Sequence, residues 1–129
     1  MTRARIERIA PSFIVGNVSR TIAFYREKLG FDVMYQQPED DPFFAIVYRD
    51  GVMIFVKSSD VLPQPNHSRD PSIKWDAYLY VPDPDTLAGE FTDNKLTFHK
   101  PLMETSEKLW GFEVSDPDGY VLFFGRPKD

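Results

Sequence analysis

The residue types that carry most enzyme chemistry are few in this sequence, and they do not cluster. The chain of 129 residues contains no cysteine and two histidines, which excludes disulfide bonds, thiol catalysis and cysteine-ligated zinc. His67 stands in a proline-rich stretch and His99 follows a predicted helix, so we expect both to be surface or packing residues. Asp50, Asp116 and Asp118 occupy turn motifs and are interpreted as turn formers, not as a catalytic carboxylate set.

Asp76 is the acidic residue with the greatest chemical interest. It belongs to the segment WDAYLYV at 75–81, where aromatic and aliphatic residues predominate. A carboxylate among aromatic side chains loses hydration, which is energetically costly unless the carboxylate is paired. It could hydrogen-bond Ser12 or a tyrosine, neutralise a cationic ligand group, or act as a base with a raised pKa. Three arginines are available for a structural salt bridge instead: Arg49, Arg69 and Arg126.

The composition indicates one folded domain. Hydrophobic residues make up 42% of the chain and aromatic residues 15%, which excludes a disordered protein. No apolar run approaches the ~20 residues of a membrane span. The N-terminal sequence MTRARIERIA lacks the apolar stretch of a signal peptide, so we predict a cytoplasmic protein. The net charge of −5 argues against nucleic-acid and membrane partners and is compatible with a cationic ligand.

An internal repeat supplies the elements that position these residues. Residues 9–58 and 75–126 read as two copies of a β-α-β-β-β unit, with corresponding positions 66 to 68 residues apart. The corresponding elements are strands 9–16 and 75–81, helices 17–29 and 83–94, and the Asp-Gly turns at 50–51 and 118–119. The predicted fold class is α+β, with two tandem βαβββ modules forming a curved mixed-sheet cup. We predict a single domain, 1–129, with these parts: module one at about 6–58, a linker at 59–72, and module two at about 73–126.

Two segments carry a family resemblance. PSFIVGNVSRTIAFYREKLGFDV resembles the opening of the glyoxalase I/bleomycin-resistance/extradiol-dioxygenase superfamily, whose fold is called vicinal oxygen chelate. GFEVSDPDGYVLFFGRP is similar to the closing strand of that superfamily, and the resemblance covers roughly residues 6–126. The order of motifs, with Trp110-Gly111 opening the penultimate strand, is most similar to the bleomycin-resistance branch. The superfamily includes isomerases, dioxygenases, thiol transferases and drug-binding proteins, so the resemblance implies a fold more strongly than an activity.

The resemblance also implies where a metal would be bound. The four ligand positions of metal-dependent members correspond to Ala10, Phe55, Asp76 and Phe123. A hard divalent cation needs at least three oxygen or nitrogen donors from the protein, and only Asp76 offers one. We therefore expect neither a metal nor another cofactor.

Strand alternation and the resemblance together predict the lining of the cup. Phe13 and Val15 are expected to face the first helix, whereas Ser12 faces the cup. Trp110 is expected to overhang the groove, and Phe123 to lie at its floor. The predicted ligand-binding residues are Ser12, Phe55, Trp75, Asp76, Tyr78, Tyr80, Trp110 and Phe123.

The resemblance implies a homodimer whose ligand lies in grooves shared between the subunits. The predicted function is metal-free sequestration of an aromatic, possibly cationic, drug or metabolite without chemical change. The alternative is a metal-dependent glyoxalase- or dioxygenase-type enzyme, that is a lyase, an isomerase or a ring-cleaving dioxygenase. A weaker third reading is an interaction subunit of a biosynthetic complex.

Each aromatic residue also has a structural reading: Phe55 and Phe123 could fill the cavity, Tyr78 and Tyr80 could be a packed sheet face, and Trp110 could be a rim or dimer contact.

Overall fold

The computed structural model describes residues 2–129 and consists of two four-stranded mixed sheets with their helices. The elements in chain order are β1 (Ser12–Ile14), α1 (Val18–Leu29), β2 (Asp32–Gln37), β3 (Phe44–Arg49), β4 (Val52–Lys57), α2 (Asn66–Arg69), β5 (Ala77–Tyr80), α3 (Pro84–Asp93), β6 (Lys100–Glu104), β7 (Leu109–Ser115) and β8 (Val121–Pro127). No helix within residues 2–129 is both long and apolar enough to cross a membrane.

The two sheets have the same topology, which confirms the predicted α+β fold of two repeated modules. Their strand orders are β1-β4-β3-β2 and β5-β8-β7-β6. In each sheet the first strand pairs in parallel with the last, and the other pairs are antiparallel. In the described residues no strand of one sheet pairs with a strand of the other. Module one is therefore the β1–β4 sheet with α1, and module two the β5–β8 sheet with α3.

Local signals fix both long helices at their ends. The Asn17 side chain accepts a hydrogen bond from the backbone N–H of Arg20 at 2.9 Å, which caps the start of α1. Gly30 ends that helix with φ 69°, a left-handed conformation that glycine adopts without strain. The Asp83 side chain caps α3 in the same way, with Pro84 at its first position. These caps set where each helix begins over its sheet.

Each sheet packs one face against its helix. Phe13 and Val15 are buried in a single hydrophobic cluster, as the alternation predicted, whereas Ser12 is exposed. In module two the rings of Phe112 and Phe124 stack at 5.3 Å, and Phe91 of α3 meets both edge-on. The helix side of each sheet therefore forms the core, and within residues 2–129 no helix of its own module covers the opposite side.

Several contacts hold the two modules together. The Arg49 guanidinium makes two hydrogen bonds to the Glu90 carboxylate, at 2.7 and 2.8 Å. The Tyr120 hydroxyl donates to the Ile14 carbonyl oxygen at 2.6 Å. Asp118 accepts hydrogen bonds from the Gly16 backbone and the Arg20 side chain, so this turn residue also joins the modules.

Candidate functional site

Each sheet turns one face away from its helix, and we name these the module-one face and the module-two face. The register of the ladders places Phe55 on the module-one face and Phe123 at the equivalent position of the module-two face. The module-one face consists of Ser12, Ile14, Phe44, Ile46, Tyr48, Met53 and Phe55. The module-two face consists of Tyr78, Tyr80, Gly111, Glu113, Phe123 and Gly125, with Trp75 beside them.

A pair of glycines forms the floor of the module-two face. Gly111 and Gly125 lie opposite each other in the β7–β8 ladder. The Phe123 ring lies over both, because a Cβ atom added to either glycine would come within 2.7 Å of its Cζ atom. Only glycine leaves room for the ring at this height above the backbone.

Aromatic rings are layered on this floor. The Trp75 indole stacks on the Phe123 ring at 4.3 Å with an interplanar angle of 21°. Tyr78 meets both of these rings edge-on, and its ring stacks with that of Tyr80 at 4.1 Å. Phe123 is 1% exposed whereas Tyr80 is 73% exposed. Phe123 therefore offers no free surface for a ligand to stack on, and the outer surfaces belong to Trp75 and Tyr80.

Two polar groups on the module-two face have unused hydrogen-bonding capacity. The Tyr78 hydroxyl is buried with no hydrogen-bond partner among residues 2–129, and its burial, followed by the proximity of Tyr80, raises its pKa. Glu113 is also buried, and its Oε2 atom accepts a hydrogen bond from the Trp75 indole N–H at 2.8 Å. Sequence reasoning missed Glu113. Glu113 lies two residues after Gly111 on β7, and side chains two residues apart on a strand share a face, so this spacing could have placed it here.

The module-one face is less tightly filled. Phe55 is half-buried and meets Phe44 edge-on at 5.8 Å, and Phe44 in turn lies 6.1 Å from Tyr35. Ser12 lies at the exposed edge of the same face. Phe55 thus keeps accessible surface, unlike its counterpart in module two.

Asp76 is bound by the backbone. Its Oδ1 atom accepts the N–H of Asn66 and its Oδ2 atom the N–H of Val121, both at 2.8 Å. Within residues 2–129 it forms no salt bridge, so the arginine pairing considered from the sequence is not found. The carboxylate joins the segment before β5 to the start of β8, which gives it a structural role.

The four metal positions of the family do not fit a metal ion in this chain. Ala10, Phe55 and Phe123 carry no donor atoms, and both carboxylate oxygens of Asp76 already accept backbone hydrogen bonds. In the described part of the chain, no group of three or more His, Cys, Asp or Glu residues could hold a metal ion. A divalent cation needs more oxygen or nitrogen donors than this set provides.

Trp110 lies on the opposite side of its sheet from the position predicted for it. Its cross-strand partner is Arg126, and its indole N–H donates to Asp85 of α3 at 2.8 Å. The ammonium group of Lys128 lies 4.3 Å from the centre of the ring. Trp110 shares the parity of the core residue Phe112 and therefore faces the helix side, so the prediction that it overhangs the groove is wrong.

Concavities lie near both faces. Near module one, a concavity of 320 Å³ is lined by Ser12 and Asp76, and another of 660 Å³ is lined by Tyr48. Three more lie in module two or at the junction of the modules. One of 500 Å³ runs between β4 and β5 and is lined by Met53, Tyr78 and Tyr80. One of 240 Å³ lies beside Trp75 and Glu113. A larger groove of 620 Å³ follows the helix side of the module junction, where the Arg49 and Glu90 side chains are paired with each other. The concavities of 500 and 240 Å³ adjoin the unpaired polar atoms of Tyr78 and Glu113, which makes the module-two face the stronger candidate site.

Comparison with known proteins bears on this assignment. Residues 5–124 match the family model described as the Glyoxalase/Bleomycin resistance protein/Dioxygenase superfamily. Among curated proteins, none matches the sequence closely enough to count as a relative.

Three of the matching solved structures have similar TM-scores. TioX from Micromonospora sp. ML1 has 18% identity and a TM-score of 0.72, covering 92% of this chain and 96% of that one. The bleomycin-binding protein of bleomycin-producing Streptomyces verticillus, complexed with copper(II)-bleomycin, has 19% identity, coverage of 98% and 99%, and a TM-score of 0.71. TnmS3, an antibiotic-binding protein from Streptomyces sp. CB03234, has 22% identity, coverage of 99% of each chain, and a TM-score of 0.68. At these identities the likeness establishes the fold.

Proposed function

Because this chain belongs to the glyoxalase/bleomycin resistance protein/dioxygenase superfamily, we propose that it binds and sequesters an aromatic small molecule without a metal and without changing it. The observation that carries the proposal is the contrast between a metal site, which this chain lacks the donor atoms to form, and an aromatic face, which it has. The metal positions hold one carboxylate, Asp76, whose oxygens are engaged with backbone N–H groups. The same face instead presents layered aromatic rings.

Aromatic layering suits a planar ligand. The outer surfaces of Trp75 and Tyr80 are available for stacking, and each ring pair contributes about 0.5–1.5 kcal/mol beyond the burial of area. The net charge of −5 favours a cationic ligand at long range. The matches to proteins described as bleomycin-binding and antibiotic-binding support a drug or a metabolite of similar kind.

We further propose a homodimer in which the module-one face of one chain covers the module-two face of the other. Phe55 and Met53 are half-buried, and Tyr80 is largely exposed, so both faces retain apolar surface that a second copy would cover. A symmetric pair of chains would form two such grooves. A cytoplasmic location remains part of this proposal.

The experiment that tests the function is recovery of a ligand. The protein is purified from its own cells, analysed by native mass spectrometry, and then titrated with proflavine, a planar heteroaromatic cation. We expect binding of one proflavine per groove, a particle of roughly twice the 14.9 kDa chain mass, and recovery of unmodified proflavine after prolonged incubation.

Two results would contradict the proposal. The first is about one zinc, nickel, iron or manganese ion per chain after dialysis, with retention that falls in Asp76→Ala. The second is conversion of a bound compound into a new product.

A further inference from the structure

In the described residues, one carboxylate oxygen of Glu113 accepts a hydrogen bond and the other accepts none. The side chain is 6% exposed, and its Oε2 atom accepts the Trp75 indole N–H at 2.8 Å. The Oε1 atom lies 3.7 Å from His99 Nε2, which is an ion-pair distance when His99 is protonated but is beyond hydrogen-bond distance. In the part of the chain that the structure describes, no other group donates to Oε1. The hydrogen bond that holds Trp75 in place therefore explains the burial of Oε2 but not that of Oε1.

A small cavity lies in front of this carboxylate. Its volume is 240 Å³, and its walls include Trp75, Gly111 and Phe123. Pockets that hold complete drug-sized ligands measure roughly 300–1,000 Å³, so this cavity suits one end of a larger molecule. Lys74 and Lys100 also line the cavity, and each carries hydrogen-bond donors only. The Lys74 ammonium group lies 3.5 Å from Glu107 Oε2.

We infer that Glu113 Oε1 accepts a hydrogen bond from an amino group or ring N–H at the inner end of a planar heterocyclic ligand. A carboxylate is an acceptor only, so the group that faces it must be a donor. Lys74 and Lys100 would face acceptor oxygens farther out on the same molecule. This inference rests on the proposed function, to which it adds a direction for the ligand and a recognition residue.

The energetic reason is the burial of the carboxylate. A ligand without a donor would desolvate Oε1 and leave it unpaired, which weakens binding by more than the loss of an exposed hydrogen bond. Sites that hydrogen-bond a ligand group discriminate strongly against analogues that lack the group. Glu113 therefore selects among flat aromatic molecules that stacking alone would accept equally.

The test compares 2-aminoquinoline with 2-methylquinoline, which have nearly the same shape and differ in an amino group in place of a methyl group. The pH is kept above the pKa of both ring nitrogens, so that both compounds are neutral. Binding is followed by ¹H–¹⁵N NMR of the indole N–H signals. The chain has two tryptophans, and Trp75→Phe and Trp110→Phe assign the two signals. We expect 2-aminoquinoline to shift the Trp75 signal and not the Trp110 signal, and to bind about 10-fold or more tightly than 2-methylquinoline.

The matched variants are Glu113→Gln and Glu27→Gln. The amide side chain of the Glu113→Gln variant retains an oxygen for the Trp75 indole but places an NH₂ group toward the cavity. We expect this variant to lose the preference for 2-aminoquinoline while its binding of 2-methylquinoline stays within about 2-fold of the wild type. Glu27 is an exposed carboxylate on α1, and its variant should retain the wild-type preference.

The outcomes separate this inference from the proposed function. Equal binding of both quinolines, unchanged by Glu113→Gln, overturns the role of Glu113 while aromatic binding stands. A response of the Trp110 signal alone overturns the location. Absence of binding by either quinoline, together with no binding of proflavine, overturns both proposals.

Discussion

The module-one and module-two faces are built from equivalent strands but are filled differently. Phe55 and Phe123 hold the same place, each paired in register with the short parallel strand of its sheet. Their neighbours in the ladder differ, since Phe44 and Lys57 of module one correspond to Gly111 and Gly125 of module two.

These neighbouring residues determine what each ring does. Above the glycine pair, the Phe123 ring lies over the backbone and the Trp75 indole stacks on it. In module one, Phe44 meets Phe55 edge-on, and no flat platform forms. The two modules therefore share a backbone arrangement but not an arrangement of aromatic rings. The module-two face carries a flat aromatic stack, and the module-one face carries half-buried rings that meet edge-on.

The largest expected effect comes from truncating the two equivalent rings. Phe123→Ala removes a fully buried ring and should lower the free energy of unfolding by about 3–5 kcal/mol. Phe55→Ala removes a half-buried ring and should cost roughly half as much. Urea denaturation at matched protein concentration measures both. Equal losses would show that the two faces are packed alike.

The turn between β3 and β4 and the turn between β7 and β8 differ in burial as well. The Asp50 side chain is 89% exposed, whereas Asp116 is 5% exposed. Asp116 Oδ1 accepts the N–H groups of Asp118 and Tyr120 at 2.9 Å, and Oδ2 has no partner within residues 2–129. Burial raises the pKa of Asp116 to about 7.

This raised pKa predicts a pH dependence of stability. Asp116 stays protonated in the folded state up to about pH 7, whereas it ionises in the unfolded chain near the ordinary aspartate pKa of 3.8. Its contribution to stability is therefore fully present below about pH 4 and is lost as the pH rises to about 7, by at most about 1.4 kcal/mol per pH unit.

Asp116→Asn should remove this contribution. The amide oxygen can still accept the two backbone hydrogen bonds, and no charge needs to be buried. Compared with the wild type, the variant should gain a few kcal/mol of relative stability between pH 4 and pH 7.5, measured by urea denaturation across that range. Asp50→Asn is the control and should follow the wild-type profile. Parallel profiles for wild type and Asp116→Asn would contradict the raised pKa.

A smaller effect on stability is expected from substitutions at the equivalent positions Gly125 of β8 and Lys57 of β4, where one change adds a side chain and the other removes one. Gly125→Ala places a Cβ atom 2.7 Å from the Trp110 carbonyl oxygen and against the Phe123 ring, so it should cost about 1–3 kcal/mol of stability. Lys57→Gly changes an exposed residue and should cost only ~0.5–1 kcal/mol, from backbone entropy. Thermal unfolding ranks the two. If Gly125→Ala is the milder change, the glycine floor is not required.

Much of the fold could be predicted because its signals are local. The caps at Asn17 and Asp83, the repeat, and the alternation that buries Phe13 and Val15 all follow from nearby residues. The same alternation, applied to β7, would have placed Trp110 with Phe112 on the core side. That position was instead inferred from the motif order of a related branch.

The rest of the site depends on contacts between distant segments. Asp76 is engaged by Asn66, which belongs to the segment between the modules, and no periodic pattern reports such a hydrogen bond. The pairing of Glu113 with Trp75 links residues 38 positions apart. The sequence therefore indicated which residue types form the face, while their partners depended on the folded arrangement.

The last prediction uses the two tryptophans to test which side of the module-two sheet binds ligand. Trp75→Leu removes the outer stacking surface and should weaken proflavine binding about 2- to 12-fold, the equivalent of one aromatic pair. Trp110→Leu removes a hydrogen bond to Asp85 on the helix side. It should lower stability by about 1 kcal/mol and leave proflavine affinity within about 2-fold. Fluorescence titration of proflavine with each folded variant measures both affinities. If Trp110→Leu weakens binding as much as Trp75→Leu does, ligand binding is not confined to the module-two face, and the contrast between the two sides of this sheet fails.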